Sequence, residues 1–248
     1  METLLLIGVL AIIMEFIDSS MGMMYGTILS PLLIGMGFKP EIVVPSILIS
    51  QAVGGAVGTV MHHKYNSANF NGLTKDTKIV LAIVLPGVLA CVLGAYVAVS
   101  IPGWILKLYI GLLVIIMGFF CIKTYSFKFS WGKMYGIGLI AAFNKALTGG
   151  GFGPLTSTAK IVGGVDPKLS IATTTYAEVP ICGLAFVFWI IFNGGVNYIY
   201  PLTMCIGAAI GALVGPWVTF KMKTEKMRKL IGVLAIISGI WCIAKIFV

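Results

Sequence analysis

Charge is scarce in this chain. Of 248 residues, 17 are basic and 8 acidic, so charged residues make up only 10%, against about 25% in a soluble chain. Too little charge to cover a wet surface excludes a soluble enzyme, and also a disordered chain, which needs high charge and few apolar residues. There are two histidines, and they are neighbours, His62 and His63. That leaves no Ser-His-Asp set and no metal cluster, so neither catalysis nor a metal or other cofactor is expected. The five cysteines, Cys91, Cys121, Cys182, Cys205 and Cys242, lie in apolar runs without Cys-x-x-Cys spacing. They read as small buried apolar residues, not as a disulfide scaffold. Period-two alternation of apolar and polar residues is lacking as well, which argues against an outer-membrane barrel.

What the chain does have is apolar length and glycine. Apolar residues make up 59% and there are 31 glycines, the mixture found where helices approach closely inside a bilayer. The expected fold is therefore an all-α polytopic membrane protein. Continuous apolar stretches fall at about 4–17, 21–37, 42–60, 79–99 and 104–122, then at 134–146, 149–165, 169–192, 199–220 and 230–248. Most are near the ~20 residues that cross ~30 Å of hydrocarbon. The first of each set is short and ends on a polar, glycine-containing stretch, Asp18-Ser19-Ser20-Met21-Gly22 or Lys145-Ala146-Leu147-Thr148-Gly149-Gly150-Gly151. Met1-Glu2-Thr3 lacks the basic region of a signal peptide, so the first run is expected to be retained.

The two sets look like copies. A shift of 127 places Gly22 on Gly149, Gly26 on Gly153, Ser30 on Ser157, Pro40 on Pro167 and Gln51 on Glu178. A shift of 121 then aligns Ile110-Gly111 with Ile231-Gly232 and Gly118 with Gly239. We assign repeats to 1–125 and 131–248, joined by a loop at 126–130. If the first two segments of each repeat form a hairpin, spanning or re-entrant, each repeat makes an odd net number of crossings. The lysines and the one arginine then sort 12 to 3 between the two faces, with Lys145 and Lys160 inside the membrane. The positive-inside rule puts the basic face in the cytoplasm and both termini outside it. The same sorting explains the net charge of +9 without nucleic acid. An odd count also inverts the second repeat relative to the first, an arrangement common in secondary transporters.

A break inside the membrane frees N–H groups at the start of the next half-helix, and these can hold an anion. Thr148, Ser19 and Ser20 add hydroxyls, and Lys145 adds charge. The expected site for a small oxyanion comprises Ser19, Ser20, Gly22, Gln51, Lys145, Thr148, Gly149, Gly150 and Gly151. The alternative is that these glycines only pack helices. Asp18 and Lys145 occupy equivalent positions, so they could face one another and pair, either as a static ion pair or in gating. Glu15, one turn earlier, belongs to the same cluster or to a wet mouth. Glu178 faces its counterpart Gln51; it is a proton carrier or a protonated acid that only holds helices together. His62-His63-Lys64 reads as a cationic helix end at the cytoplasmic face.

Asp18-Ser19-Ser20-Met21-Gly22-Met23-Met24-Tyr25-Gly26-Thr27, followed by Pro31, Gly37-Phe38-Lys39-Pro40 and His62-His63, resembles the TauE/SafE sulfite exporter family. So does Thr148-Gly149-Gly150-Gly151-Phe152-Gly153-Pro154 with Gly163-Gly164-Val165-Asp166-Pro167 and Ala177-Glu178. The first repeat departs in having Met23 and Met24 where the second has Gly150 and Gly151. The resemblance implies export of sulfite or a small organosulfonate such as sulfoacetate across the plasma (inner) membrane by an inverted-repeat protein. The expected mechanism is alternating access coupled to a proton or sodium, with Asp18 or Glu178 as the coupling or gating group. The alternatives are a passive anion channel, for which the segments offer few pore-lining polar residues, and a transporter of another small anion.

Overall fold

The computed structural model describes residues 2–123, 130–162, 165–221, 224–244 and 246–247. The joining loop at 126–129, the Gly163-Gly164 pair and Lys128, Lys223 and Lys245 lie outside them. Among the described residues ten helices follow one another: α1 Glu2–Met21, α2 Tyr25–Gly35, α3 Pro40–Lys64, α4 Lys75–Ser100, α5 Gly103–Ile122, α6 Trp131–Thr148, α7 Phe152–Val162, α8 Pro167–Asn193, α9 Ile199–Lys221 and α10 Thr224–Ala244. Among the described residues there is no strand. Five helices, α1, α3, α4, α8 and α9, are long and apolar enough to cross a membrane. The chain is an all-α polytopic membrane protein.

Which segments are short differs from expectation. The run at 4–17 does not end at Asp18; α1 continues through Ser19 and Ser20 to Met21. Both serines turn their hydroxyls back onto their own helix, Ser19 to the Glu15 carbonyl and Ser20 to the Phe16 carbonyl. A serine so bonded leaves the helix intact. The breaks are instead the three residues Gly22–Met24 and Gly149–Gly151, which coincide under the shift of 127. The short elements are the second ones. At 11 residues each, α2 and α7 extend only about 16 Å, roughly half of the hydrocarbon thickness.

Burial follows the logic of a bilayer. Leu85, Leu89 and Leu93 on α4, and Leu202, Ile206, Ile210 and Leu213 on α9, are exposed at helical spacing, forming apolar outer faces. Glu15, Asp18, Gln51, Lys145, Lys160 and Glu178 are buried. Helices meet in matching pairs: α1 packs along α9 and α6 along α4, α3 meets α9 as α8 meets α4, and α3–α8 and α5–α10 close the set. Glycine sets the closeness. A methyl added at Gly94 would lie 2.5 Å from the Phe143 carbonyl oxygen, and one at Gly215 would lie 2.8 Å from that of Phe16. Phe16 and Phe143 are themselves related by the shift of 127. Both long helices α3 and α8 start on a proline, Pro40 and Pro167, a position where the missing N–H costs nothing.

Candidate functional site

Four helices bring the intramembrane polar residues together. Asp18 and Lys145 stand in the last turns of α1 and α6, just before the breaks, while Gln51 and Glu178 stand in the middle of α3 and α8. Small residues let α3 and α8 close up: a methyl at Gly55 would lie 3.3 Å from the Thr175 carbonyl oxygen. All four polar side chains are buried, so each must find its partners inside the protein.

Gln51 is the hub. Its Nε2 donates to Asp18 Oδ2 at 3.1 Å and to Glu178 Oε2 at 3.0 Å, and its Oε1 accepts from Lys145 Nζ. Lys145 Nζ also pairs with Glu178 Oε1 at 3.4 Å. The facing of Gln51 and Glu178 anticipated from the repeat is therefore a direct hydrogen bond. Asp18 and Lys145, however, do not pair directly among the described contacts; they are joined through Gln51. The remaining Asp18 oxygen, Oδ1, accepts the N–H of Tyr25 at 2.9 Å, the first residue of α2. Asp18 thus caps the half-helix that follows its own helix, where a negative group is favoured.

Each break lies against the first turn of the other half's short helix. A methyl at Gly150 would lie 2.8 Å from the Gly26 carbonyl oxygen, and one at Gly26 would run into the carbonyl of Gly149. Backbone packs on backbone, which is the packing role weighed for these glycines. Gly22, Gly149 and Gly151 take positive φ, as does Met24, at 122°, where the second break has Gly151. Side chains stitch the contact: Ser30 Oγ donates to the Thr148 carbonyl and Ser157 Oγ to the Gly22 carbonyl, both at 2.8 Å.

The N–H groups of the second break already have partners in this conformation. Gly150 N donates to Thr148 Oγ1 and Gly151 N to Thr27 Oγ1, both at 3.1 Å, and Gly149 N donates to the Lys145 carbonyl. Ser20 reaches across to the Gly215 carbonyl at 3.1 Å, and Thr148 Oγ1 donates to Asn144. The hydroxyls of the expected site are thus spent on backbone carbonyls in this packing.

Three buried groups carry more than sequence reasoning assigned. His62 is not an exposed cationic helix end. It is fully buried, and its Nε2 lies 3.0 Å from the Ser19 carbonyl oxygen; His63 stays at the loop, where its Nδ1 accepts the N–H of Phe70. Lys160 donates to the Ser170 carbonyl at 2.9 Å and to Thr173 Oγ1 at 2.8 Å. Asn144 accepts the Tyr109 hydroxyl. Cys91, Cys182 and Cys242 are buried, Cys205 is half-buried, and the Cys121 side chain lies outside those described. Among the described residues no group of three His, Cys, Asp or Glu side chains could hold a metal ion.

Apolar outside, ionic at its centre and broken at two half-helices, the molecule has the build of a polytopic membrane transporter. The family model "Sulfite exporter TauE/SafE" matches residues 5–242, and the chain belongs to that family. It is 26% identical over 246 residues to the "Probable membrane transporter protein YtnM" of Bacillus subtilis (strain 168), a match covering 94% of this chain and 80% of that protein. No solved structure matches.

Proposed function

We propose that this transporter exports a small sulfur oxyanion, sulfite or a small organosulfonate such as sulfoacetate, by alternating access. The observation that carries the reading is the Lys145–Glu178 pair with Gln51 between the repeats. Lys145 is a buried cation held by carboxylate and amide oxygens, and the oxygens of a sulfur oxyanion are acceptors of the same kind. A ligand anion can therefore replace Glu178 on Lys145, bonded also by the Gln51 amide. Thr148, Ser19, Ser20, Gly22 and Gly149–Gly151 line the adjoining breaks and supply donors as the half-helices move. Released from Lys145, Glu178 acts as a gate, and Asp18 transmits the change to α2 through its bond to Tyr25.

The helix pairs that match between the halves, and each break resting on the start of the other half's short helix, support reading 1–125 and 131–248 as inverted repeats rocking about this network. The 12-to-3 sorting of basic residues supports both termini outside the cytoplasm in the plasma membrane. Family membership supports a sulfur oxyanion as substrate and transport rather than catalysis as the activity.

The test is counterflow of labelled sulfite and candidate sulfonates in reconstituted vesicles, with and without a pH gradient. Saturable flux competed by sulfur oxyanions is expected. Absence of competition by any of them would refute the substrate class, and single-channel currents would refute alternating access.

A further inference from the structure

The buried ionisable groups among the described acids, lysines and histidines are Glu15, Asp18, His62, Lys145, Lys160 and Glu178. Five of them make at least one side-chain hydrogen bond. Glu15 is the exception: it is fully buried, and neither carboxyl oxygen has a partner. Its pocket is built of small residues from two other helices. A methyl added at Gly54 of α3 would lie 2.7 Å from the Glu15 carboxyl carbon, 2.9 Å from Oε1 and 3.0 Å from the Ala208 β-carbon of α9. A methyl at Gly211 of α9 would lie 3.1 Å from the Glu15 β-carbon. These glycines leave room for a carboxyl and offer nothing to balance a charge on it.

An ionised carboxylate is not held unpartnered at membrane depth. The groups that act on Glu15 deepen the problem. Asp18 on its own helix and Glu178 on α8 repel a negative charge, and Lys145 on α6 attracts one but is committed to Gln51 and Glu178. Tyr25 at the start of α2 is neutral and spends its hydroxyl on Ser50. From α3 and α9 come Gly54, Ala208 and Gly211, none of them charged. Asp18 accepts from Gln51 and the Tyr25 N–H, and Glu178 from Gln51 and Lys145, so both have the donors that Glu15 lacks.

We infer that Glu15 is the proton-binding site of this transporter. In this packing its carboxyl carries the proton. When α1 separates from α3 and α9 and water enters, the O–H bond breaks, the proton passes to water as hydronium, and the carboxylate left behind is solvated. Coupling of that step to flux rests on the transport reading above; protonation of Glu15 in the closed packing does not.

The experiment is infrared spectroscopy on the purified full chain in lipid at neutral pH. The wild type is expected to show the carbonyl stretch of a carboxylic acid free of hydrogen bonds. Glu15→Gln should lose that band, whereas Asp18→Asn and Glu178→Gln should keep it. A band that survives in Glu15→Gln overturns the assignment. Gly54→Ala, which crowds the carboxyl without removing it, should shift the band, and an unshifted band overturns the location. In vesicles, the ratio of sulfite flux with and without a pH gradient should fall to unity in Glu15→Gln; a ratio unchanged from wild type overturns the coupling role. Failure of every sulfur oxyanion to compete would count against the substrate class and leave the infrared result standing.

Discussion

His62 and Trp189, related by the shift of 127, make the same bond in the two halves. His62 Nε2 lies 3.0 Å from the Ser19 carbonyl oxygen, and Trp189 Nε1 donates to the Ala146 carbonyl at 2.6 Å; Ser19 and Ala146 are related by the same shift. An indole nitrogen can only donate, so the matching bond assigns the hydrogen of His62 to Nε2. Each ring ties a long helix to the end of the helix that precedes a break. The two differ in what stands nearby: Thr219 Oγ1 donates to the Ser20 carbonyl at 2.6 Å and lies 3.3 Å from the Ser19 carbonyl oxygen.

Trp189→Phe should therefore destabilise the protein more than His62→Phe. Leaving a buried carbonyl without its donor costs about 1–3 kcal/mol, and the cost should be smaller at Ser19, where the Thr219 hydroxyl can turn to the orphaned oxygen. Thermal unfolding followed by size-exclusion chromatography in detergent checks the order, and equal losses would contradict it.

Lys145→Met should abolish anion counterflow and also destabilise the fold, since removing one partner of a buried ion pair costs about 3–5 kcal/mol. Lys145→Met/Glu178→Gln should recover much of the lost stability without recovering transport. Proteoliposome flux and unfolding measurements on the same preparations separate the two effects. Transport retained by Lys145→Met would remove the lysine from the site.

Gly26→Ala should prevent correct folding, because its methyl runs into the carbonyl of Gly149 and backbone cannot yield as a side chain can. Gly136→Ala on α6, where nothing lies within 4 Å of the added carbon, should be neutral or stabilise by up to about 1 kcal/mol. The yield of monodisperse protein reads out the difference.

The orientation reads out in labelling of intact cells by a membrane-impermeant maleimide. Asn197→Cys, exposed in the loop before α9, should react from outside. Asn71→Cys, exposed in the loop before α4, should react only after permeabilisation. The reverse pattern would overturn the assignment of the termini.

Much of the site could be read from the sequence because charge inside a membrane is rare. Aligning the halves placed Asp18 with Lys145 and Gln51 with Glu178, and those four residues form the network. The facing of Gln51 and Glu178 could be read too, but the partners of Asp18 and Lys145 could not, since pairing depends on side-chain reach: Gln51 lies between them, and the lysine turns to Glu178. The extent of α1 was missed because serine reads as a breaker until its hydroxyl is seen to bond the preceding turn. His62 was missed for a related reason. A His-His-Lys run at a helix end looks solvated, and only the tertiary approach of α1 buries the first of the three.

The hub has a consequence for how the two halves depend on each other. Asp18 and Gln51 come from one half, Lys145 and Glu178 from the other. Two copies of the first half would set aspartate against aspartate with no cation between them. Two copies of the second would set lysine against lysine and glutamate against glutamate. On the repeat reading proposed above, the single chain works as a heterodimer fused end to end, each half carrying charges that the other lacks. Neither half can stand in for its twin, and a gene split between them should yield a working protein only when both pieces are made together.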